Sequence, residues 1–253
     1  MNELSPYVSI VTPCYNAGKY IREMIESVIS QSFTDWEMLI VDDCSTDNSA
    51  EIVKDYEARD SRVRYLCTPH NTGAPAIPRN IGIDNARGRI VALLDADDVW
   101  YPNKLKEQIT LMHNKPCRIC YTDGEMMNEE GKILSTMIKA DWVDYKRTLK
   151  RNELSCSSVM FEKALVGELR FKNIPKEDFV FWIQLMKSTK VKAYNTGTVS
   201  YVYRIVGNSR SRNKVEILKQ HWHVLRHEAK LNVFYAAYCF SCWIMRNVKK
   251  YYI

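Results

Sequence analysis

The sequence predicts an α/β protein with a mainly parallel sheet and helices on both faces. Three observations carry that expectation. Strand-like and helix-like patterns alternate through the first hundred residues. The strand-like segments are almost continuously apolar, as in Ile90-Val91-Ala92-Leu93-Leu94, which fits burial on both faces. Two of these runs lead straight into acidic clusters, at Asp42-Asp43 and at Asp95-Ala96-Asp97-Asp98. Ligands of such sheets bind beyond the carboxyl ends of the strands, so both clusters are expected at one edge.

Taken in order, Tyr7 to Thr12 is β-rich and ends at Pro13. Gly18 to Gln31 is amphipathic, with Ile21, Ile25, Val28 and Ile29 on one face. Trp36 to Val41 is a second apolar strand. Ser45-Thr46-Asp47 offers N-caps for a helix reaching Tyr56, with Asp47 read as a cap. Val63 to Cys67 is a third strand. Pro75 to Ala86 reads as a helix in which Pro78 is awkward. Arg89 to Leu94 is the fourth strand, and Pro102 opens another helix. Further on, Arg118 to Asp123 and Val191 to Tyr203 are strand-like, and Phe179 to Met186 is helical. No linker rich in Pro, Gly or Ser divides the chain.

Of the 253 residues, 46% are apolar and 26% charged, as in a globular protein. The net charge of +6 is uneven: residues 1–211 hold 28 basic and 28 acidic side chains, residues 212–253 hold eight and two. That asymmetry calls for an acidic partner of the tail, a membrane surface or nucleic acid. The neutral body and the absence of any recognised binding module argue against nucleic acid. An apolar, strand-like run begins within the first ten residues, so no secretory leader is expected and the eight cysteines are expected to be reduced thiols. Cys117 and Cys120 fall on a strand-like run, where they should face opposite sides, against a zinc site.

Three carboxylates within four residues, Asp95, Asp97 and Asp98, are costly to bury without a cation. Hard oxygen donors suit Mg²⁺ or Mn²⁺. The bland alternative is an acidic loop that caps the next helix. Asp42-Asp43 likewise reads either as turn chemistry or as an acceptor for a nucleotide base. No P-loop, dinucleotide fingerprint or H-E-x-x-H motif is present.

Val8-Ser9-Ile10-Val11-Thr12-Pro13-Cys14-Tyr15-Asn16, then Ile40-Val41-Asp42-Asp43-Cys44-Ser45-Thr46-Asp47, then Arg79-Asn80-Ile81-Gly82-Ile83, then Ala86-Arg87-Gly88, then Leu94-Asp95-Ala96-Asp97-Asp98 follow one another in order. Together they resemble the family 2 glycosyltransferases of the GT-A fold, in particular bacterial enzymes of capsule, lipopolysaccharide or teichuronic-type polymers. The resemblance implies an inverting sugar transfer from a nucleotide sugar, UDP-linked, to a lipid-linked glycan. It implies that Tyr15 stacks on the base beside the backbone of Pro13, that Asp43 accepts from the base, and that Arg79 contacts it. Asp95 and Asp97 would form the D-x-D that meets the donor's metal, Asp97 as direct ligand. Lys176-Glu177-Asp178-Phe179-Val180-Phe181-Trp182 resembles the family's acidic motif before an aromatic helix. It implies Asp178 as the catalytic base, with Glu177 and Trp182 at the acceptor. The alternatives are helix capping by the two acids and a core role for Trp182. Tyr203 to Ser211 resembles a loop over the diphosphate, with Arg204, Ser209 and Ser211 as donors. Val206 stands where relatives often carry His.

Residues 1–211 are thus expected to form the GT-A domain, with a nucleotide-binding half (1–100) and an acceptor-binding half (101–211). Residues 212–253 form a basic, aromatic, helical tail. Leu231 to Met245 is uncharged but too short to span a bilayer. Its aromatics, bordered by Arg226, Lys230, Arg246, Lys249 and Lys250, suit an amphipathic helix at a membrane interface. The expected location is the cytoplasmic face of the membrane. The competing reading is a helix packed into the core.

Overall fold

The computed structural model describes residues 5–207 and 214–252, the side chains of Lys214 and of residues 247–252 excepted. Strand β1 (Val8–Cys14), helix α1 (Ile21–Ile29), β2 (Trp36–Asp42), α2 (Ser49–Arg59), β3 (Val63–Cys67), α3 (Ala76–Asn85) and β4 (Ile90–Leu93) alternate as expected. Strands β3, β2, β1 and β4 lie side by side, all parallel. They continue into a mixed sheet through β9 (Met160–Glu162), β6 (Ile119–Met127), β10 (Ala193–Arg204) and the two-residue β5 (Val99–Trp100). β9 is antiparallel to both β4 and β6, while β10 runs parallel to β6. β7 (Ile133–Met137) pairs with β6 and β8 (Trp142–Val143) with β10. A strand from the second half, β9, therefore joins the sheet directly beside β4 of the first half.

Alternation along the strands sends side chains to two layers. Val8, Ile10, Met38 and Ile40 pack under α1, α2 and α4 (Lys104–Asn114). Val11, Leu39, Val91 and Leu93 pack under α3 and α6 (Glu177–Thr189). The motif glycines mark where these layers touch. A Cβ on Gly82 would meet the Val11 side chain at 2.3 Å, and one on Gly88 would meet the Ser9 amide nitrogen at 2.7 Å. Only glycine lets α3 and its exit turn lie this close to β1.

Pro78 is the third residue of α3, within the first turn, where no intrahelical acceptor awaits its missing N–H. The awkwardness expected of it is therefore absent. The reading of Cys117 and Cys120 as facing apart is wrong. Cys117 precedes β6, the strand period does not govern it, and both cysteines are buried in the same core layer.

The tail forms α7 (Lys214–His223), a π-helical turn (Val224–Glu228) and α8 (Val233–Tyr252). Val224, Leu225, Ala236 and Cys239 pack on Phe179, Val180 and Ile183 of α6 and on Leu149, just past α5 (Tyr145–Thr148). One face of the tail thus belongs to the core. Another leaves Phe234 (84% exposed), Tyr238 and Met245 in solvent. No helix among the described residues is long and apolar enough to cross a membrane.

Candidate functional site

The parallel order β2-β1-β4 brings the carboxyl ends of β2 and β4 to one edge, with Asp42-Asp43 and Asp95–Asp98 on it. Tyr15 follows β1 there and is half exposed, not a core tyrosine. Pro13 is within β1, in register with Val41. The turn after β2 is shaped by Asp42, which accepts from Ser45 N–H at 3.1 Å and from the Tyr65 hydroxyl at 2.9 Å. Cys44 takes a left-handed backbone there. Asp43 is buried, and its carboxylate accepts from the Thr68 hydroxyl (3.0 Å) and from the Thr72 N–H (3.0 Å) and hydroxyl (2.9 Å). Asp47 accepts from Ser49 N–H and Gly18 N–H, both at 2.9 Å, so it ties the start of α2 to the turn before α1.

The acidic loop after β4 is held mainly by other elements. Ser157, in a 3₁₀ turn at Cys156–Ser158, accepts from Asp95 N–H at 3.0 Å and donates to Asp98 Oδ2 at 2.5 Å. The Arg204 N–H donates to Asp98 Oδ1 at 3.0 Å. Burial raises the pKa of Asp98 well above the carboxylate range, and the charges of Asp97 and Asp95 add to it. Asp97 is pushed up to about 6 by burial and by Asp95, and it has no ion-pair partner among the described residues. Asp95 does have one: Arg79 Nη2 at 2.6 Å.

Arg79 departs from expectation. It is buried, and its guanidinium bridges Asp95 to Glu177 Oε1 (3.0 Å) instead of facing the base-binding edge at Asp43. The reason is topological: α3 covers the same sheet face as α6, so its inward face meets the start of α6. That ion pair joins the two sequence halves at the site. Asp178, beside Glu177 in the first turn of α6, accepts from Phe179 N–H at 2.7 Å and from Asn152 Nδ2 at 3.5 Å. Burial and the neighbouring Glu177 raise its pKa, which suits a proton acceptor better than an ordinary carboxylate would.

Two other expectations need correcting. Trp182 is fully buried against Phe161, Phe171 and Phe181, with ring centroids 5.0–6.4 Å apart, so it lines no acceptor surface. Helical periodicity puts it on the inward face of α6. Arg204 is also buried: its Nε donates to the Asp97 carbonyl at 3.0 Å and its Nη2 pairs with Glu23 at 2.5 Å. Its guanidinium ties α1 to the acidic loop instead of opening toward a diphosphate. Ser209 and Ser211 lie outside the described residues.

Sequence reasoning missed Ser157, which sits in an undistinguished turn. It also left Tyr203 without a role. That phenol is 37% exposed, and its pKa is raised by desolvation and by the charges of Asp98, Asp97, Asp95 and Asp178. Its only signal was its place at the head of the Tyr203–Ser211 run.

No three ligating side chains converge as a ready-made metal cage among the described residues. Mg²⁺ and Mn²⁺ need none here: one or two carboxylates suffice when substrate phosphates and water complete the shell. Asp97, whose carboxyl has no ion-pair partner among the described residues, fits that role, and so does Asp95, which is shared with Arg79.

The family model described as Glycosyl transferase family 2 matches residues 9–162. A Bacillus subtilis (strain 168) protein named for teichuronic acid biosynthesis, glycosyltransferase TuaG, is 36% identical over 252 residues, 99% of each chain. An Escherichia coli protein, UDP-Glc:alpha-D-GlcNAc-diphosphoundecaprenol beta-1,3-glucosyltransferase WfgD, is 35% identical over 86% of this chain and 85% of its own. Among solved structures, S. aureus TarS residues 1–349 with UDP-GlcNAc superposes with a TM-score of 0.74 at 21% identity, over 94% of this chain and 71% of that one. The mannosyltransferase PcManGT of Pyrobaculum calidifontis, with GDP-Man and Mn²⁺, gives 0.63 at 17% identity, over 98% and 76%. Both likenesses bear on the fold, which is that of GT-A enzymes. With the motifs in order on one sheet edge and a family match across most of the chain, the protein belongs to glycosyl transferase family 2.

Proposed function

We propose that this chain moves a sugar from a UDP-sugar to a saccharide carried on a lipid diphosphate, with inversion, in the synthesis of a bacterial surface polysaccharide. The observation that carries the proposal is the junction of two carboxylate groups through one arginine: Asp95 and Glu177 share Arg79, with Asp97 and Asp178 beside them. The donor side and the base side of a single displacement are thereby next to each other. The name of the Escherichia coli relative supports the acceptor class and the UDP donor, and that of the Bacillus subtilis relative supports the polysaccharide class.

In this reading Tyr15 and Asp43 receive the nucleotide base, and Asp97 with Asp95 would hold a Mn²⁺ or Mg²⁺ ion, which would supply charge neutralisation for the leaving diphosphate. Asp178 removes the proton of the acceptor hydroxyl, which attacks the anomeric carbon from the face opposite the leaving group. Asn152 and the Phe179 N–H orient that carboxylate, and Arg79 pairs with Glu177 beside it. The exposed aromatic face of α8, with the basic residues around it, rests on the cytoplasmic membrane leaflet where such acceptors lie.

Release of free UDP from UDP-sugars, with Mn²⁺ and a GlcNAc joined through diphosphate to a short alkyl chain, tests the proposal. Wild type should release UDP only as product forms. Asp97→Ala and Asp178→Asn should each lower transfer by about 100-fold or more at unchanged melting temperature. Full activity in Asp178→Asn would remove the base. Donor binding without turnover in wild type would reduce the protein to a nucleotide-binding module.

A further inference from the structure

The short segment between α5 and the 3₁₀ turn, residues 149–154, connects Asp178 to the tail. Leu149 anchors it in the core shared by α6 and α8. Asn152 reaches Asp178 at 3.5 Å. Lys150 lies against α8, with its Nζ 3.4 Å from the Tyr238 hydroxyl and 4.8 Å from the centre of that ring. Arg151 pairs with Glu153, and Arg246 of α8 approaches the same carboxylate at 3.6 Å. Two cations, Arg151 and Arg246, thus share one carboxylate, and next to Arg151 in the chain Lys150 meets only a phenol among the described residues.

Crowded cations repel, and such a cluster is relieved by an anion. Burial, then the like charges of Arg246 and Arg147, bring Arg151 down to about 10. Guanidinium and ammonium groups set together are the usual receptors of phosphate oxygens. The cluster begins at the residue next to Asn152, about 3.8 Å along the chain from it at Cα. An acceptor hydroxyl within hydrogen-bond reach of Asp178 would carry its next chemical group one sugar ring away. Beyond the cations, Phe234, Tyr238 and Met245 fall at helical spacings of four and seven, on one exposed stripe of α8.

We infer that Lys150, Arg151 and Arg246 form the subsite for the diphosphate of the lipid-linked acceptor, with the lipid chain leaving along the exposed stripe of α8. This rests on the acceptor class proposed above. A phospholipid headgroup shares the phosphate chemistry, but adjacency to the base through Asn152 gives it no reason to sit here.

The double variant Lys150→Gln/Arg246→Gln keeps the packing stems and removes two charges. With the diphosphate-linked acceptor it should raise acceptor KM at least tenfold, leaving kcat and donor KM unchanged. With a neutral alkyl glycoside of the same sugar it should change neither constant. Independently of turnover, dodecyl diphosphate should raise the melting temperature of wild type and not of the variant. Equal stabilisation of both proteins, or none of wild type, overturns the subsite, as does an equal loss with the neutral glycoside. Loss of binding to phosphatidylglycerol vesicles with dodecyl diphosphate binding retained would assign the strip to membrane charge and also overturn it. Variant-sensitive diphosphate binding without any transfer would uphold the subsite and refute the proposed reaction; transfer with an unaltered acceptor KM would do the reverse.

Discussion

Arg79 and His221 show how much a single buried side chain decides in this protein. Arg79 compensates two carboxylates from the two halves of the sequence, and it is almost wholly buried. Removing it strands both acids. Arg79→Ala should cost about 3–5 kcal/mol in urea unfolding, the usual penalty for breaking a buried pair. A loss below about 1 kcal/mol would show that the acids are well solvated without it. His221 lies between Phe179 and Trp243, with centroids 4.9 and 4.1 Å away, and its Nε2 has no partner. Burial, with a smaller contribution from Lys176, lowers its pKa to about 3. The unfolded chain therefore takes up a proton near pH 6.5 that the folded one refuses. Its contribution to stability is complete above that pH and is lost as pH falls toward 3. At pH 5 the loss should be about 2 kcal/mol relative to neutral pH. His221→Phe should remove that share of the acid sensitivity in denaturation curves at pH 5 and 7. An unchanged difference between the two pH values would contradict the assignment.

The elements repeat this dependence on close fit. Strand–helix alternation and apolar strands made β1 to β4 readable because each obeys a local rule of period or capping. The short strands β5, β8 and β9 have two or three residues each and carry no period to detect. Their existence depends on partners remote in sequence. β9 is the consequential one, since the turn before it delivers Ser157 to the acidic loop. The glycines of the quoted motifs have a packing reason that the motif alone does not disclose. In Gly82→Ala the new methyl would meet Val11 at 2.3 Å and push α3 off β1. Destabilisation of about 1–3 kcal/mol should follow, with Arg79 displaced and transfer reduced. A variant of wild-type stability would mean that α3 shifts freely.

At the scale of the molecule, the tail follows the core-packed reading of its sequence and leaves one face open. Ala236 and Cys239 are core residues, and Phe234 is almost bare. A helix with one face fixed on α6 can offer only the other to a membrane. Phe234→Glu should therefore leave the melting temperature within about 1 °C, as surface changes do. It should reduce cosedimentation with anionic vesicles several-fold. Undiminished vesicle binding would remove α8 from the membrane contact. The charge asymmetry in the sequence pointed to the tail, but only the structure shows that Lys150, from the body, joins it at Tyr238.

The sequence by itself determined the fold class, the family and the edge at which the carboxylates gather, because strand period, turn chemistry and motif order are local properties. It also offered Asp97 and Asp178 as candidates, whose neighbours in the chain mark them. The tertiary structure decided which partners those residues have: Arg79 turned toward Glu177, Trp182 and Arg204 withdrawn into the interior, Ser157 and Tyr203 brought to the acidic loop. Such choices depend on burial and on contacts between distant segments, and pairing across a fold leaves no trace in the order of residues along one chain.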